Sequence, residues 1–217
     1  MEGITKVLYW ISTGLLIPVL ILLIIFFLRA LLLIGSFYGV YIQKLKFNKN
    51  FKNKIDELDV TNIQQHLAKI NDDNKLLITI YINKVLSVKP GKVYYDKVLN
   101  DFEMACQKDL ANSQTLARLG PILGLMGTLI PMGPALVGLA AGDIASMASN
   151  MQVAFATTVI GLFSGAVGFV VMQVKRRWYA TDIGNLEFIT ELLKESQKIH
   201  KQTNTPVNNP VKQTQLS

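Results

Sequence analysis

The chain has 217 residues, of which 50% are hydrophobic and 17% are charged, and its formal net charge is +7. A basic nucleic-acid-binding domain would explain the charge but not the long apolar runs, so this composition favours a membrane protein. The single cysteine, Cys106, excludes an internal disulfide framework, and we expect it to act as a small apolar residue.

The first apolar run spans residues 7–42 and is interrupted by one charge, Arg29. It is longer than one membrane crossing needs, since about 20 helical residues suffice, and too short for two crossings with a turn. We therefore predict one helix that crosses the bilayer with its N-terminus outside and then tilts or protrudes. A cleaved signal peptide is disfavoured because the run is too long and lacks a small-residue cleavage site.

Arg29 has two interpretations. A charge inside a membrane is costly and by default suggests a functional site. Alternatively, the guanidinium of Arg29 extends to the inner headgroups while residues 30–42 continue along the interface or pack on neighbouring subunits. The sequence favours the second interpretation but leaves both open.

A polar insert follows at residues 43–114, with twelve lysines and nine acidic residues. Positive charge near the ends of crossings stays on the cytoplasmic side, so we place this insert and residues 175–177 in the cytoplasm. The short loop 141–150 carries only Asp143 and is predicted to be external. Together these placements predict three crossings, with the N-terminus outside and the C-terminus inside.

Apolar residues in the insert recur at spacings of three and four, which indicates amphipathic helices. Pro90 and Gly91 mark a turn between them. The helical positions are Ile63, Leu67 and Ile70, then Leu77, Ile80, Tyr81, Lys84 and Val85, and after the turn Val98, Phe102 and Ala105.

The second and third crossings occupy residues 115–174, and residues 175–201 continue as a cytoplasmic helix with apolar Ile183, Leu186, Ile189 and Leu193. Residues 202–217 have the composition of a disordered tail. The predicted fold class is an all-α integral membrane protein, with three transmembrane helices and helical cytoplasmic extensions.

Small residues line one face of each of these two crossings. In membranes such faces allow close helix contact, and we expect them to hold both the helices and a homo-oligomer together. The packing glycines are Gly120, Gly124 and Gly127 in the second crossing and Gly161, Gly165 and Gly168 in the third. Pro131 and Pro134 are predicted to kink the outer part of the second crossing.

Hydroxyl groups lie on or beside the same faces, at Thr128, Thr157 and Thr158. A threonine in a membrane helix often bonds only its own backbone, but threonines at one depth on adjacent helices also suit a path for water or protons. Between Arg118 and Lys175 the only titratable residue is Asp143, in the predicted loop. Because a proton carrier usually needs a titratable group within the bilayer, another polypeptide would have to supply it.

Enzymatic activity is not expected. The sequence contains no phosphate-binding loop, no paired-cysteine metal motif and no Gly-x-Ser-x-Gly, and its two histidines, His66 and His200, are far apart. We predict no cofactor and no metal site.

Residues 124–128 (Gly-Leu-Met-Gly-Thr) and 156–162 (Ala-Thr-Thr-Val-Ile-Gly-Leu) resemble the core of the MotA/TolQ/ExbB proton channel family. Three crossings and a large insert after the first are similar to its ExbB/TolQ branch. The resemblance implies a proton-conducting motor subunit in the cytoplasmic (inner) membrane, driven by the proton motive force. It also implies a pentamer around an ExbD/TolR-like dimer whose single transmembrane helix carries an Asp.

By motif position, Thr128 and Thr158 match the family's pore-lining threonines, and Thr158 is placed to bond the partner's carboxylate. The chain departs from the ExbB pattern at Val153, where ExbB has Glu, and at residues 131–134 (Pro-Met-Gly-Pro). Two alternatives therefore stay open: a non-conducting structural scaffold of the same fold, and an unrelated small transporter component with Pro/Gly-interrupted helices.

Overall fold

The computed structural model describes residues 2–55, 76–89 and 91–203. Within these ranges the chain forms four α-helices and no strand: α1 (Glu2–Ile55), α2 (Leu77–Ser87), α3 (Lys92–Ala140) and α4 (Ile144–Thr203). Three of them, α1, α3 and α4, are long and apolar enough to cross a membrane. The all-α membrane fold predicted from the sequence is therefore confirmed. The predicted helix around Ile63–Ile70 and most of the predicted disordered tail lie outside the described residues.

The chain divides into two compact units. The membrane unit comprises Met1–Leu45 and Met104–Thr181, and the second unit comprises Lys46–Glu103 and Asp182–Ser217. The helices α3 and α4 each continue from one unit into the other without a break. The polar segments predicted to flank the second and third crossings are thus extensions of the membrane helices themselves.

In the membrane unit, α1 packs against α3 and α4 through one stripe of its surface. Val19, Leu23, Phe26 and Ala30 form a buried cluster with Leu116, Leu123 and Ile130 of α3. The ring of Phe27 lies 5.8 Å from that of Phe163 in α4, and Phe37 stacks on Trp178 at 5.6 Å. These contacts fix which sides of α3 and α4 are covered by α1.

In the second unit, large apolar side chains are buried and polar contacts surround them. Tyr81 of α2 packs on Phe102 with ring centroids 5.1 Å apart, and its hydroxyl donates to the carbonyl of Asp101. The ammonium of Lys194 donates to the carboxylate of Asp96, and this ion pair raises the pKa of Lys194. The buried apolar residues include Ile78, Ile82, Val85, Tyr95, Val98, Phe102, Leu186, Ile189 and Leu193.

A turn of three residues joins α3 to α4. Gly142 has φ of 74°, a left-handed conformation that glycine adopts without steric cost at the end of a helix. The carboxylate of Asp143 then accepts the backbone N–H of Ser146 at 3.0 Å, which caps α4. The connection is therefore shorter than the predicted loop 141–150, because Asp143 starts the next helix and residues 144–150 lie in its first turns.

Candidate functional site

The helices α3 and α4 contact each other backbone to backbone within the membrane unit. A methyl group added at Gly161 would lie 2.5 Å from the Cα of Gly124, and one added at Gly120 would lie 2.7 Å from the amide nitrogen of Gly165. Real Cβ atoms do not approach that closely, so only glycine permits this spacing. Small residues allow such contact in membranes, where helices gain nothing from hydrophobic expulsion.

The glycine contacts form one ladder with antiparallel register. Each step of about four residues along α3 matches a step back along α4, from Gly168 beside Ala117, through Gly165 beside Pro121, to Thr157 beside Gly127. All six predicted packing glycines lie in this ladder. Pro121 was not singled out from the sequence, although its ring fills the space that Gly165 leaves open.

The ladder lies within one chain. From the sequence, we expect the small-residue faces to hold subunits of a homo-oligomer together as well. In the structure α3 and α4 use these faces on each other, and Gly124 and Gly161 are buried. A role of these faces in contacts between copies stays a prediction.

The three candidate threonines occupy different environments. Thr157 is buried, contacts Gly127 and donates its hydroxyl to the carbonyl of Ala154. Thr128 and Thr158 are partly exposed, and their hydroxyls donate to the carbonyls of Leu125 and Ala154. Thr157 thus fills space between helices, whereas the hydroxyl oxygens of the other two can accept a further bond from outside the chain.

Thr128 and Thr158 lie at the same depth and on the same side of the α3–α4 pair. Their chain neighbours Gly127 and Thr157 touch each other, which fixes the depth. Each threonine also precedes by two residues a side chain of the cluster that α1 forms with α3: Ile130 belongs to this cluster and Ile160 packs against it. Two residues span about 200° around a helix, so both threonines point away from α1.

The prolines predicted as kink positions lie inside α3, which continues through them to Ala140. Pro131 is fully buried and Pro134 is partly exposed. A proline removes the N–H that would bond the carbonyl four residues earlier, so Pro131 frees the carbonyl of Gly127 from its helical bond. This carbonyl belongs to the residue next to Thr128, which adds a hydrogen-bond acceptor at the depth of the threonines.

A charged cluster joins α3 to α4 beyond the ladder, and sequence reasoning missed it. The carboxylate of Asp109 accepts from the ammonium of Lys175 at 2.7 Å and from the hydroxyl of Tyr179. Burial by itself would raise the pKa of Asp109, but the hydrogen bonds from Lys175 and Tyr179 outweigh it and hold the pKa below its usual value. The cluster extends the antiparallel register of the ladder into the polar part of both helices.

Comparison with known families identifies the segment that carries this site. Residues 92–187 match the MotA/TolQ/ExbB proton channel family. The family predicted from the sequence is thereby confirmed, and the matched segment contains the glycine ladder, both partly exposed threonines and the Asp109 cluster. No curated protein matches the chain at a significant level of similarity. The three apolar helices and this match indicate a multi-pass membrane protein whose residues 92–187 are similar to that family.

Proposed function

We propose that this chain is the proton-conducting subunit of an ExbB/TolQ-like membrane motor, and that it couples the proton motive force to movement of an ExbD/TolR-like partner. The observation that carries this proposal is the paired placement of Thr128 and Thr158. They lie at one depth, on the side of α3 and α4 that α1 leaves uncovered, within helices that match a proton channel family.

The threonines suit a carboxylate supplied by another polypeptide. Between Arg118 and Lys175 the chain has no titratable side chain except Asp143 in the turn, so it cannot carry protons across the bilayer by itself. An unpaired carboxylate that leaves water for such a site is strongly disfavoured in its charged form. The hydroxyl of Thr158 can accept from the protonated carboxyl group while it donates to Ala154, and it can donate to the charged carboxylate once it rotates away from the Ala154 carbonyl, which supports both halves of a proton cycle.

The assembly that this function requires is a ring of identical chains around the partner. We propose a pentamer in the cytoplasmic membrane, with the N-terminus outside and the C-terminus, residues 43–114 and residues 175–177 in the cytoplasm, and with no enzymatic activity. The charge distribution supports this orientation, since most lysines and arginines flank the crossings on one side, whereas the other side carries only Lys6 before the first crossing as a cation and Asp143 in the turn. The exposed apolar side chains around Thr128 and Thr158 leave surface for such contacts.

Replacing Thr158 with valine tests the proposal, because valine keeps the shape of threonine and removes its hydroxyl. We expect Thr158→Val, in proteoliposomes that also contain the partner, to lower proton flux by at least about tenfold, since one hydrogen bond to a charged group contributes about 1.5–3 kcal/mol. Thr128→Val should act in the same direction but more weakly. Thr157→Val is the matched control, since its hydroxyl donates to the same Ala154 carbonyl but is buried between the helices, and its flux should stay near that of the wild type.

Three outcomes would contradict the proposal. If Thr158→Val conducts like the wild type while it still binds the partner, the role of this threonine is wrong. If Thr157→Val lowers the flux as much as Thr158→Val does, the effect comes from helix packing. If the wild-type complex binds its partner but passes no protons, the chain is a scaffold of the same fold.

A further inference from the structure

A cavity of 260 Å³ in the membrane unit lies between α1 and α3, on a different part of α3 from the threonines. Arg29 of α1 and Asn112 and Thr115 of α3 supply its polar groups, and its apolar wall consists of Phe26, Leu32, Leu33 and Leu116. Among the described residues, Arg29 makes no hydrogen bond and no ion pair, and the lining contains no acidic residue. The cavity therefore presents one cation whose charge nothing in its lining balances.

The depth of the cavity follows from the lengths of the apolar runs. On α1, residues 9–28 are uncharged and span about 30 Å, which is the thickness of the hydrocarbon core, so Arg29 falls at its edge. On α3, the apolar run that ends at Ala140 begins after Arg118, and Thr115 and Asn112 lie one and two turns beyond that arginine. Both estimates place the cavity at the level of the lipid headgroups, in the leaflet on the side of Lys175.

The chemistry of the lining selects a phosphate group. A guanidinium binds phosphate oxygens through two parallel N–H bonds, and the amide of Asn112 can donate a third bond. The apolar residues Leu32 and Leu33 line the same cavity and suit the start of an acyl chain. The volume lies near the lower end of the range for small-molecule sites, about 300–1,000 Å³, so a headgroup fits and a whole lipid does not.

We infer that this cavity is a binding site for the headgroup of an anionic phospholipid, held by Arg29 and Asn112. A net negative headgroup neutralises Arg29. A zwitterionic headgroup adds an ammonium for which the lining offers no carboxylate. This assignment combines the two interpretations of Arg29 that the sequence leaves open. The side chain reaches the headgroup level, and it has a specific ligand there. The inference does not depend on proton conduction.

Native mass spectrometry of the full-length protein in detergent tests this site by titration with phosphatidylglycerol or with phosphatidylcholine of the same acyl chains. We expect the wild type to prefer phosphatidylglycerol by at least about fivefold. Arg29→Gln should weaken phosphatidylglycerol binding by about tenfold and abolish the preference. Arg29→Lys should retain part of the phosphatidylglycerol affinity and part of the preference, because it keeps the charge but not the bidentate geometry. Asn112→Leu should give a smaller loss than Arg29→Gln.

Arg118→Gln is the matched control, since Arg118 is an exposed arginine near the same depth that does not line the cavity. Its lipid affinity should stay within about twofold of the wild type, as expected for an exposed, solvent-screened charge that does not contact the ligand. An equal loss in Arg118→Gln and Arg29→Gln would overturn the site, because attraction would then be general. Equal affinity of the wild type for both lipids would overturn the anionic headgroup.

Two further outcomes identify other occupants. If millimolar inorganic phosphate displaces phosphatidylglycerol, the cavity is a site for free phosphate and the lipid assignment is wrong. If Arg29→Gln changes the number of chains in the complex but not the lipid affinity, Arg29 contacts another subunit instead. Arg29 is exposed, so Arg29→Gln should fold; an unchanged thermal midpoint verifies this, and Arg29→Lys provides a second measurement of the same site.

Discussion

The membrane unit and the second unit bury different kinds of side chain. In the membrane unit the tightest contacts join glycines such as Gly124 and Gly161, while large apolar side chains face outward; Leu129 is 64% exposed and Phe155 is 65% exposed. The second unit shows the opposite arrangement, with large apolar side chains inside and charged side chains outside. Phe102 and Leu186 are fully buried, and lysines and carboxylates occupy the surface.

This difference reflects the solvent of each unit. In water, burying a large apolar side chain is the main favourable term, so Phe102 belongs inside. In lipid, an exposed Phe155 loses nothing by facing acyl chains, and the gain comes from close packing and from backbone contact between helices. The same two helices, α3 and α4, follow both rules along their lengths, so their composition changes where their surroundings change.

Among the substitutions that test this difference between the units, Phe102→Ala should have the largest effect on stability. Phe102 is completely buried, and its removal leaves a cavity in the second unit that should lower the free energy of unfolding by about 3–5 kcal/mol. Met104→Ala is the control, since Met104 is 54% exposed, and it should change stability by less than about 0.5 kcal/mol. Chemical denaturation followed by circular dichroism measures both, and equal losses would show that Phe102 is not a core residue.

Gly161→Ala should have the next largest effect, although it adds only one methyl group. That methyl group would overlap the Cα of Gly124, so α3 and α4 must separate, at a cost of about 1–3 kcal/mol. Gly133→Ala is the matched control in α3, because its added methyl group meets nothing within 4 Å, and it should be neutral or slightly stabilising. Unfolding of the purified protein in mixed micelles measures both. A tolerated Gly161→Ala would mean that the ladder is not tightly packed.

The smallest expected effect concerns Asp109, which joins α3 to α4 beyond the glycine ladder. Its pKa is lowered below 3.8, so its contribution to stability is complete above about pH 4 and is lost as the pH falls through the lowered value. Asp109→Asn should lower stability at neutral pH by about 0.5–1 kcal/mol, with a shallower loss on acidification.

A pH series of thermal unfolding, with Glu103→Gln as the control carboxylate, measures this effect. Glu103 makes no ion pair and no side-chain hydrogen bond among the described residues, so its variant should keep the acid dependence of the wild type. If Asp109→Asn keeps the wild-type acid dependence as well, the bonds from Lys175 and Tyr179 do not set the pKa of Asp109.

Much of the membrane unit could be predicted from the sequence, because hydrophobic length and small-residue periodicity report directly on membrane crossing and close packing. Periodicity identifies a face but not its partner, so the glycines were expected to contact other subunits as well as the neighbouring helix. The contact between Asp109 and Lys175 joins residues 66 positions apart, which no local pattern reveals. The start of α4 was predictable in principle, since Gly142 and Asp143 are common helix-end and helix-start residues.

The three-residue turn and the glycine ladder have a mechanical consequence for the proposed motor. A register shift of one residue between α4 and α3 would turn Gly161 and Gly165 about 100° away from their partners. Bulkier neighbouring residues would then have to enter the contact. The turn at Gly142 has too few residues to absorb such a shift. The two helices therefore behave as one rigid helix pair. In the proposed motor, a moving partner must tilt or separate whole helix pairs, and Thr128 and Thr158 keep a fixed spacing within each pair.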